Sequence, residues 1–225
     1  MFDWTWFLLL PAIGFALWAQ SKVKSTYHRY SQVVNRRGLT GAQIARRILD
    51  SNGLLNVRVE PVEGTLTDHY HPKEKVVRLS EGIHNSNSLA ALAVAAHETG
   101  HAVQDQVGYA PMNIRASLVP VASFGSTLAF PLFFIGLLIP KVGWLMDLGI
   151  IFFAGAVLFH LITLPVEFDA SRRAVAVLAN GGYLATDEVP HAKKVLDAAA
   201  WTYVAAATVS LIHLLRLVIL RQSHD

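Results

Sequence analysis

Two long apolar runs, residues 116–140 and 142–166, lie almost end to end in this chain with only Lys141 between them. Each matches the roughly 20 apolar residues a helix needs to cross a bilayer. In hydrocarbon, a chain must satisfy its backbone N–H and C=O groups internally, and a helix does so within its own segment. The pair therefore reads as a transmembrane hairpin turning at Pro140-Lys141. Asp147 near its tip and His160 near its far end are the ionisable side chains inside it, and such groups face protein or water rather than lipid.

A shorter run, residues 4–19, carries Trp4, Trp6 and Trp18 at its ends, where membrane-interface aromatics belong. It reads as a retained anchor. A cleavable signal has basic residues ahead of its apolar stretch, whereas here Asp3 precedes the run and Lys22, Lys24, Arg29, Arg36, Arg37, Arg46 and Arg47 follow it. Positive-inside bias then places residue 20 onward in the cytoplasm of a multi-pass cell-membrane protein. The alternative is a buried helix of a soluble protein. A fourth run, 198–220, contains His213 and Arg216; it either spans, with Arg216 snorkelling to the interface, or lies on the surface or against the bundle. Hydrophobic residues make up 53% of the 225 and charged residues 16%, concentrating apolarity in these four runs. Cysteine is absent, which excludes disulfides, thiolate zinc sites and a cysteine nucleophile. A net charge of only +3 gives no case for a nucleic-acid partner.

Between the first run and the hairpin the composition is ordinary. Thr40-Gly-Ala-Gln43 is a capping-box pattern, and Ile44, Ile48 and Leu49 beside Arg46, Arg47 and Asp50 predict an amphipathic helix ending at Asn52-Gly53. Residues 57–62 and 76–79 alternate as strands, with a polar, turn-rich stretch between them, which predicts a small antiparallel sheet. Pro61 and Pro72 place strand ends at edges. Asn87-Ser88 then caps a helix running to about Gln106, with Gly108 as its stop. The expected class is mainly α with a small sheet, an α+β core merged with a bundle of about four spans.

His97-Glu98-Thr99-Gly100-His101 falls in the middle of that helix. Two histidines at i and i+4 share a face, close enough for both to reach one zinc ion, and Glu98 would stand beside an activated water. Ala90, Ala91, Ala93, Ala95, Ala96, Gly100 and Ala102 keep the helix thin, so neighbours can approach closely. A hydrolytic zinc site takes three protein ligands and an open position. If both hairpin spans cross, residues 101 and 167 return to one side of the membrane, where the sequence reads Pro165-Val-Glu167-Phe-Asp169-Ala-Ser171-Arg172-Arg173. Glu167 shares a helix face with His160 and Ser171, whereas Asp169 points elsewhere, so Glu167 is the expected third ligand. The other reading of the acidic pair is as a solvated helix end or as partners for Arg172 and Arg173. His69 and His71 form an alternating pair that could bind an ion on a strand face, with no further ligand beside it.

The strand ending at Leu79-Ser80, the His97–His101 helix, the hairpin and Glu167-Phe-Asp-Ala resemble the neutral zinc metallopeptidases of bacterial membranes, the YugP-like family. The likeness extends over nearly the whole chain. More distantly, the layout is similar to the HtpX-like membrane proteases, whose third ligand opens a Glu-aromatic-x-Ala-Asp motif. The resemblance implies a zincin-like metallopeptidase core, with zinc on His97, His101 and Glu167 and Glu98 as the catalytic base. Ser171 stands where the HtpX-like motif has its aspartate, so Ser171 or Asp169 would have to support a zinc histidine instead.

The implied activity is peptide hydrolysis at the cytoplasmic membrane face, acting on membrane-associated proteins in quality control. Membrane lipid would be a further partner, and a homo-oligomer or a membrane adaptor a possible one. Tyr203, Tyr183, His191 and Arg172 are candidates for stabilising the developing oxyanion. Residues 64–70 could form an edge strand pairing with substrate backbone. The alternative function is a catalytically silent scaffold or adaptor with a structural zinc site, which would need a fourth protein ligand.

Overall fold

A computed structural model describes residues 4–224, so Asp3, invoked above for the anchor's polarity, lies outside the described residues. The chain divides into two compact units. One comprises Ser21–Ala110 and Val166–Trp201, the other Met1–Gln20, Pro111–Pro165 and Thr202–Asp225.

The first unit opens with the end of helix α1 (Trp6–Ser31) and continues to α2 (Gly41–Ser51). Thr40 caps α2 reciprocally: its Oγ1 accepts from the Gln43 amide at 3.3 Å, and its own amide donates to Gln43 Oε1 at 3.0 Å. Ile44, Ile48 and Leu49 are buried, as their spacing predicts. Arg46 on the opposite side donates to the carbonyl oxygens of Val57 (2.5 Å) and Leu54 (2.9 Å), tying the helix to the chain entering the sheet.

The sheet has three strands, β1 (Arg58–Val62), β2 (His69–His71) and β3 (Val76–Ser80), in the order β1-β3-β2. It is mixed, which corrects the antiparallel expectation. β1 runs parallel to β3, with Arg58 opposite Val76, and only β2 is antiparallel, with Tyr70 opposite Val77. The stretch between β1 and β3 is not a hairpin turn but a crossover long enough to permit parallel pairing. It carries β2 to the far side of β3 on its way. β3 is central and mostly buried, while β1 lies at an edge, where Pro61 costs no ladder bond. Of the 64–70 stretch expected as an edge strand, His69 and Tyr70 are in β2, which is indeed at an edge.

A short turn of helix, α3 (Glu81–His84), leads to α4 (Leu89–Gln106). Ser88 caps α4, its Oγ accepting from the Ala91 amide at 3.1 Å. Gly108, in the left-handed region at φ +63°, follows its end. The small residues let α4 lie against the second half of α6 (Trp144–Asn180) almost backbone to backbone. A Cβ on Gly100 would come within 2.9 Å of the Ala170 carbonyl oxygen.

The other unit consists of the apolar parts of α1, of α6 and of α7 (Val189–Gln222) with nearly all of α5 (Ala110–Leu138). Phe133, Met146, Phe153, Val157 and Leu217 form its core. A 3₁₀ turn, Pro140–Val142, makes the hairpin corner at the expected place. Asp147 pairs with Arg221 at 2.9 Å, and Arg216 is buried against Thr5 Oγ1 at 3.0 Å with its guanidinium over the Trp6 ring. Phe124, Leu138 and Ile151 are exposed although fully apolar, as lipid-facing side chains are. Among the described residues, α1, α5, α6 and α7 are the helices long and apolar enough to cross a membrane.

Candidate metal centre

His97 and His101 project from one face of α4, their rings 4.8 Å apart and nearly perpendicular. Val166 begins the part of α6 that belongs to the same unit, and one residue later Glu167 points at both rings. Its Oε2 lies 3.2 Å from His97 Nε2 and 3.5 Å from His101 Nε2. Ligand atoms from all three residues fall within 4.8 Å of one another, so a single ion could take all three. The close approach at Gly100 and Ala170 is what brings the acid on α6 to the histidines on α4.

The other ring nitrogens are engaged. His101 Nδ1 stands 2.9 Å from Gln104 Oε1. The amide of Gln104 is oriented by two acceptors, because its Nε2 donates to the Val166 carbonyl at 2.8 Å and to Asp169 Oδ2 at 2.9 Å. Oε1 must therefore accept, so His101 Nδ1 donates to it and Nε2 is the nitrogen turned to Glu167, the one that would give up its proton to take a metal. Ser171 Oγ lies 3.2 Å from His97 Nδ1 and can fix that ring in the same way. Asp169 is itself held by Arg173 at 2.6 Å and by Arg172.

The electrostatics suit a cation. Burial alone would push the Glu167 carboxyl upward, but hydrogen bonds with His101 and His97 outweigh it and hold the acid far below the usual carboxylate range. Burial opposes charge on His101, yet the hydrogen bond to Glu167 and the charge of Glu98 prevail and raise it above the ordinary imidazole value. Two imidazoles and a carboxylate kept ionised make the donor set of a hydrolytic zinc site, so these residues fit that metal. Glu98 is buried beside them.

The two acids expected near the third-ligand position divide the roles between them. Glu167 joins the histidines; Asp169 accepts from Gln104 and pairs with the arginines, as the alternative reading had it. Of the two residues expected to support a histidine, Ser171 lies directly at His97 and Asp169 reaches His101 by way of Gln104. Gln104 has no motif to mark it in the sequence beyond its spacing, an amide three residues after a histidine on a helix being within reach of its ring. Of the oxyanion candidates, His191 stacks on Tyr30 at 5.2 Å, Arg172 pairs with Asp169, Tyr183 follows the end of α6, and Tyr203 belongs to the apolar unit. His69 and His71 are bound up in their own turns, at Thr67 O (2.8 Å) and the Glu74 amide (3.1 Å). Neither belongs to the metal-competent group found among the described residues.

A helical chain with spans of membrane length and this donor set defines the class, and comparison agrees. The chain belongs to the family described as "Putative neutral zinc metallopeptidase", which it matches over residues 5–222. It is similar to the protein named "Putative membrane protease YugP" of Bacillus subtilis (strain 168), with 51% identity over 214 residues covering 95% of each chain. No solved structure matches it.

Proposed function

We propose that this protein is an integral membrane zinc endopeptidase that hydrolyses peptide bonds of membrane or membrane-associated proteins at the cytoplasmic face, a quality-control activity. The reading treats residues 1–225 as one membrane-integrated domain with spans near 4–19, 116–140, 142–166 and 198–220. The observation that carries it is the convergence of Glu167 Oε2 on the Nε2 atoms of His97 and His101, with Glu98 next to His97 on the same helix.

His97, His101 and Glu167 would hold the ion. Bound there, zinc supplies positive charge that polarises a peptide carbonyl and makes a water more acidic. Glu98 is assigned the proton work, taking a proton from the attacking water and delivering it to the departing amine nitrogen. Its carboxylate is uncommitted, being buried without a hydrogen bond or ion pair among the described residues. Gln104 and Ser171 hold the imidazoles in register through the nitrogens facing away from Glu167. Among the described residues the metal-competent group has three members, not the four that close a structural zinc site, which favours an enzyme over a silent scaffold. The basic residues after the first apolar run, Lys22, Lys24, Arg29, Arg36 and Arg37, support the cytoplasmic orientation.

The test is to purify the full chain in detergent, measure zinc per chain, and compare cleavage of an unfolded membrane substrate by wild type and Glu98→Gln. The variant should keep its zinc and lose at least about a hundredfold in rate. Equal rates would reject the assignment.

A further inference from the structure

Away from the metal centre, α1 and α7 enclose a cavity of about 500 Å³, within the roughly 300–1,000 Å³ usual for ligand pockets. Its walls are two matched helix faces. Lys22, Ser25, Thr26 and Arg29 line it from α1, and Lys194, Asp197, Ala198 and Trp201 from α7. Each set follows the i, i+3, i+4, i+7 spacing of a single face. Three cations thus look into one space, and none of Lys22, Arg29 and Lys194 has an ion-pair partner among the described residues. The lining carboxylate, Asp197, is paired with Lys193 at 2.6 Å. Concentrating unpaired like charges is unfavourable by itself, so the arrangement calls for an anion.

Its place along the chain says which kind. Lys22 lies just past Gln20, where α1 leaves the apolar unit, and Trp201 just precedes Thr202, where α7 enters it. On α1 the same face carries the exposed Trp18 four residues before Lys22, so it changes from apolar to cationic within one turn. A soluble phosphate would need only the cations. A phospholipid would use both parts, with its acyl chains along the apolar turn and its phosphate among the bases.

We infer that this cavity binds the headgroup of an anionic phospholipid. The Arg29 guanidinium offers a planar fork for two phosphate oxygens, Lys22 and Lys194 contribute point charges, and the Thr26 hydroxyl is placed to donate a further hydrogen bond. Trp201, 43% exposed, sets its ring at the boundary, as interfacial aromatics do. The site uses no residue of the metal centre, so its binding can be read without zinc and without peptidase activity.

The full chain in detergent, titrated with dioctanoyl phosphatidylglycerol, dioctanoyl phosphatidylcholine or inorganic phosphate and followed by native mass spectrometry, tests this. One phosphatidylglycerol should bind saturably, with the other two ligands at least about tenfold weaker. Lys22→Gln/Arg29→Gln/Lys194→Gln should weaken it about a hundredfold, while Arg47→Gln/Lys73→Gln/Lys141→Gln, removing as many exposed cations elsewhere, should not. Lys194→Gln alone, expected to weaken binding about fivefold, answers the question should the triple variant fail to fold. Inorganic phosphate binding as tightly as phosphatidylglycerol would overturn the lipid assignment. So would equal binding of the two lipids, an equal loss in the control triple, or unchanged binding by Lys194→Gln.

Discussion

Gln104 accepts a hydrogen bond from His101 Nδ1 at 2.9 Å while its amide nitrogen is held by the Val166 carbonyl and Asp169. One buried side chain thus links a histidine of α4 to the helix that carries Glu167, and it does so through the ring nitrogen turned away from the ligand point. Orientation of the ring, its tautomer and the spacing between the two helices all depend on this one amide.

Gln104→Leu should therefore weaken metal binding and folding together. Loss of a partner of this kind costs roughly 10–100-fold in metal affinity, measurable by zinc competition with a chelator. The Val166 carbonyl and Asp169 also lose a donor in a buried setting, so stability should fall by about 1–3 kcal/mol. Unchanged zinc affinity would remove Gln104 from the site.

Gly100→Ala should be damaging out of proportion to its size. The new methyl would meet the Ala170 carbonyl oxygen at 2.9 Å and the Ala170 Cα at 3.3 Å, both backbone atoms of a packed helix. Overpacking of this kind costs about 1–3 kcal/mol. Because relief requires α4 and α6 to part, Glu167 moves away from the histidines, and zinc affinity should drop together with the melting temperature. Thr99→Ala, on the same helix and next to Gly100, is the comparison. It removes a hydroxyl bonded to Ala96 O within α4 and should leave zinc affinity nearly intact.

Glu167→Gln and Asp169→Asn should behave differently although they lie two residues apart. The first removes a proposed ligand and should abolish stoichiometric zinc. The second keeps the ligands but weakens the contacts with Gln104, Arg172 and Arg173, so it should retain zinc with at most about a tenfold loss in affinity. Metal analysis after dialysis tells them apart, and the reverse order would move the third ligand to Asp169.

Asp68 gives a pH signature remote from the metal. Burial raises its carboxyl above the ordinary value, against the opposing effect of the Ser80 amide and hydroxyl, the amide lying 2.7 Å away. An acid raised in the folded state favours folding fully below its ordinary pKa and loses that contribution as pH rises through the raised value. Asp68→Asn keeps an acceptor for the Ser80 amide and carries no charge. Its melting temperature should match wild type near pH 3 and exceed it increasingly toward pH 7; a gap independent of pH would contradict the assignment.

Much of this was readable in particular residues. The capping patterns at Thr40 and Ser88 set where α2 and α4 begin, because a side-chain acceptor at that position satisfies amides the helix itself cannot. The apolar runs and the break at Pro140-Lys141 placed the hairpin. The sheet was not readable in this way: residues 57–62 and 76–79 have strand periodicity, but their direction depends on where three residues between them pair. That choice is made by contacts distant in sequence, and strand periodicity carries no information about it.

The metal centre divides along the same line. His97, Glu98 and His101 belong together by helical spacing alone, a local property that needs no fold to be seen. Helix-face geometry also favoured Glu167 over Asp169, since neighbours on one helix obey the same periodicity. The sequence by itself thus determined which residues share a face and which segments suit lipid. Only the tertiary structure decided that Gln104 joins His101 to Asp169, that Ser171 meets His97, and that β1 runs parallel to β3. Each of these rests on the separation and relative direction of two elements, and these follow from packing, at Gly100 against Ala170 above all, rather than from any pattern within one element.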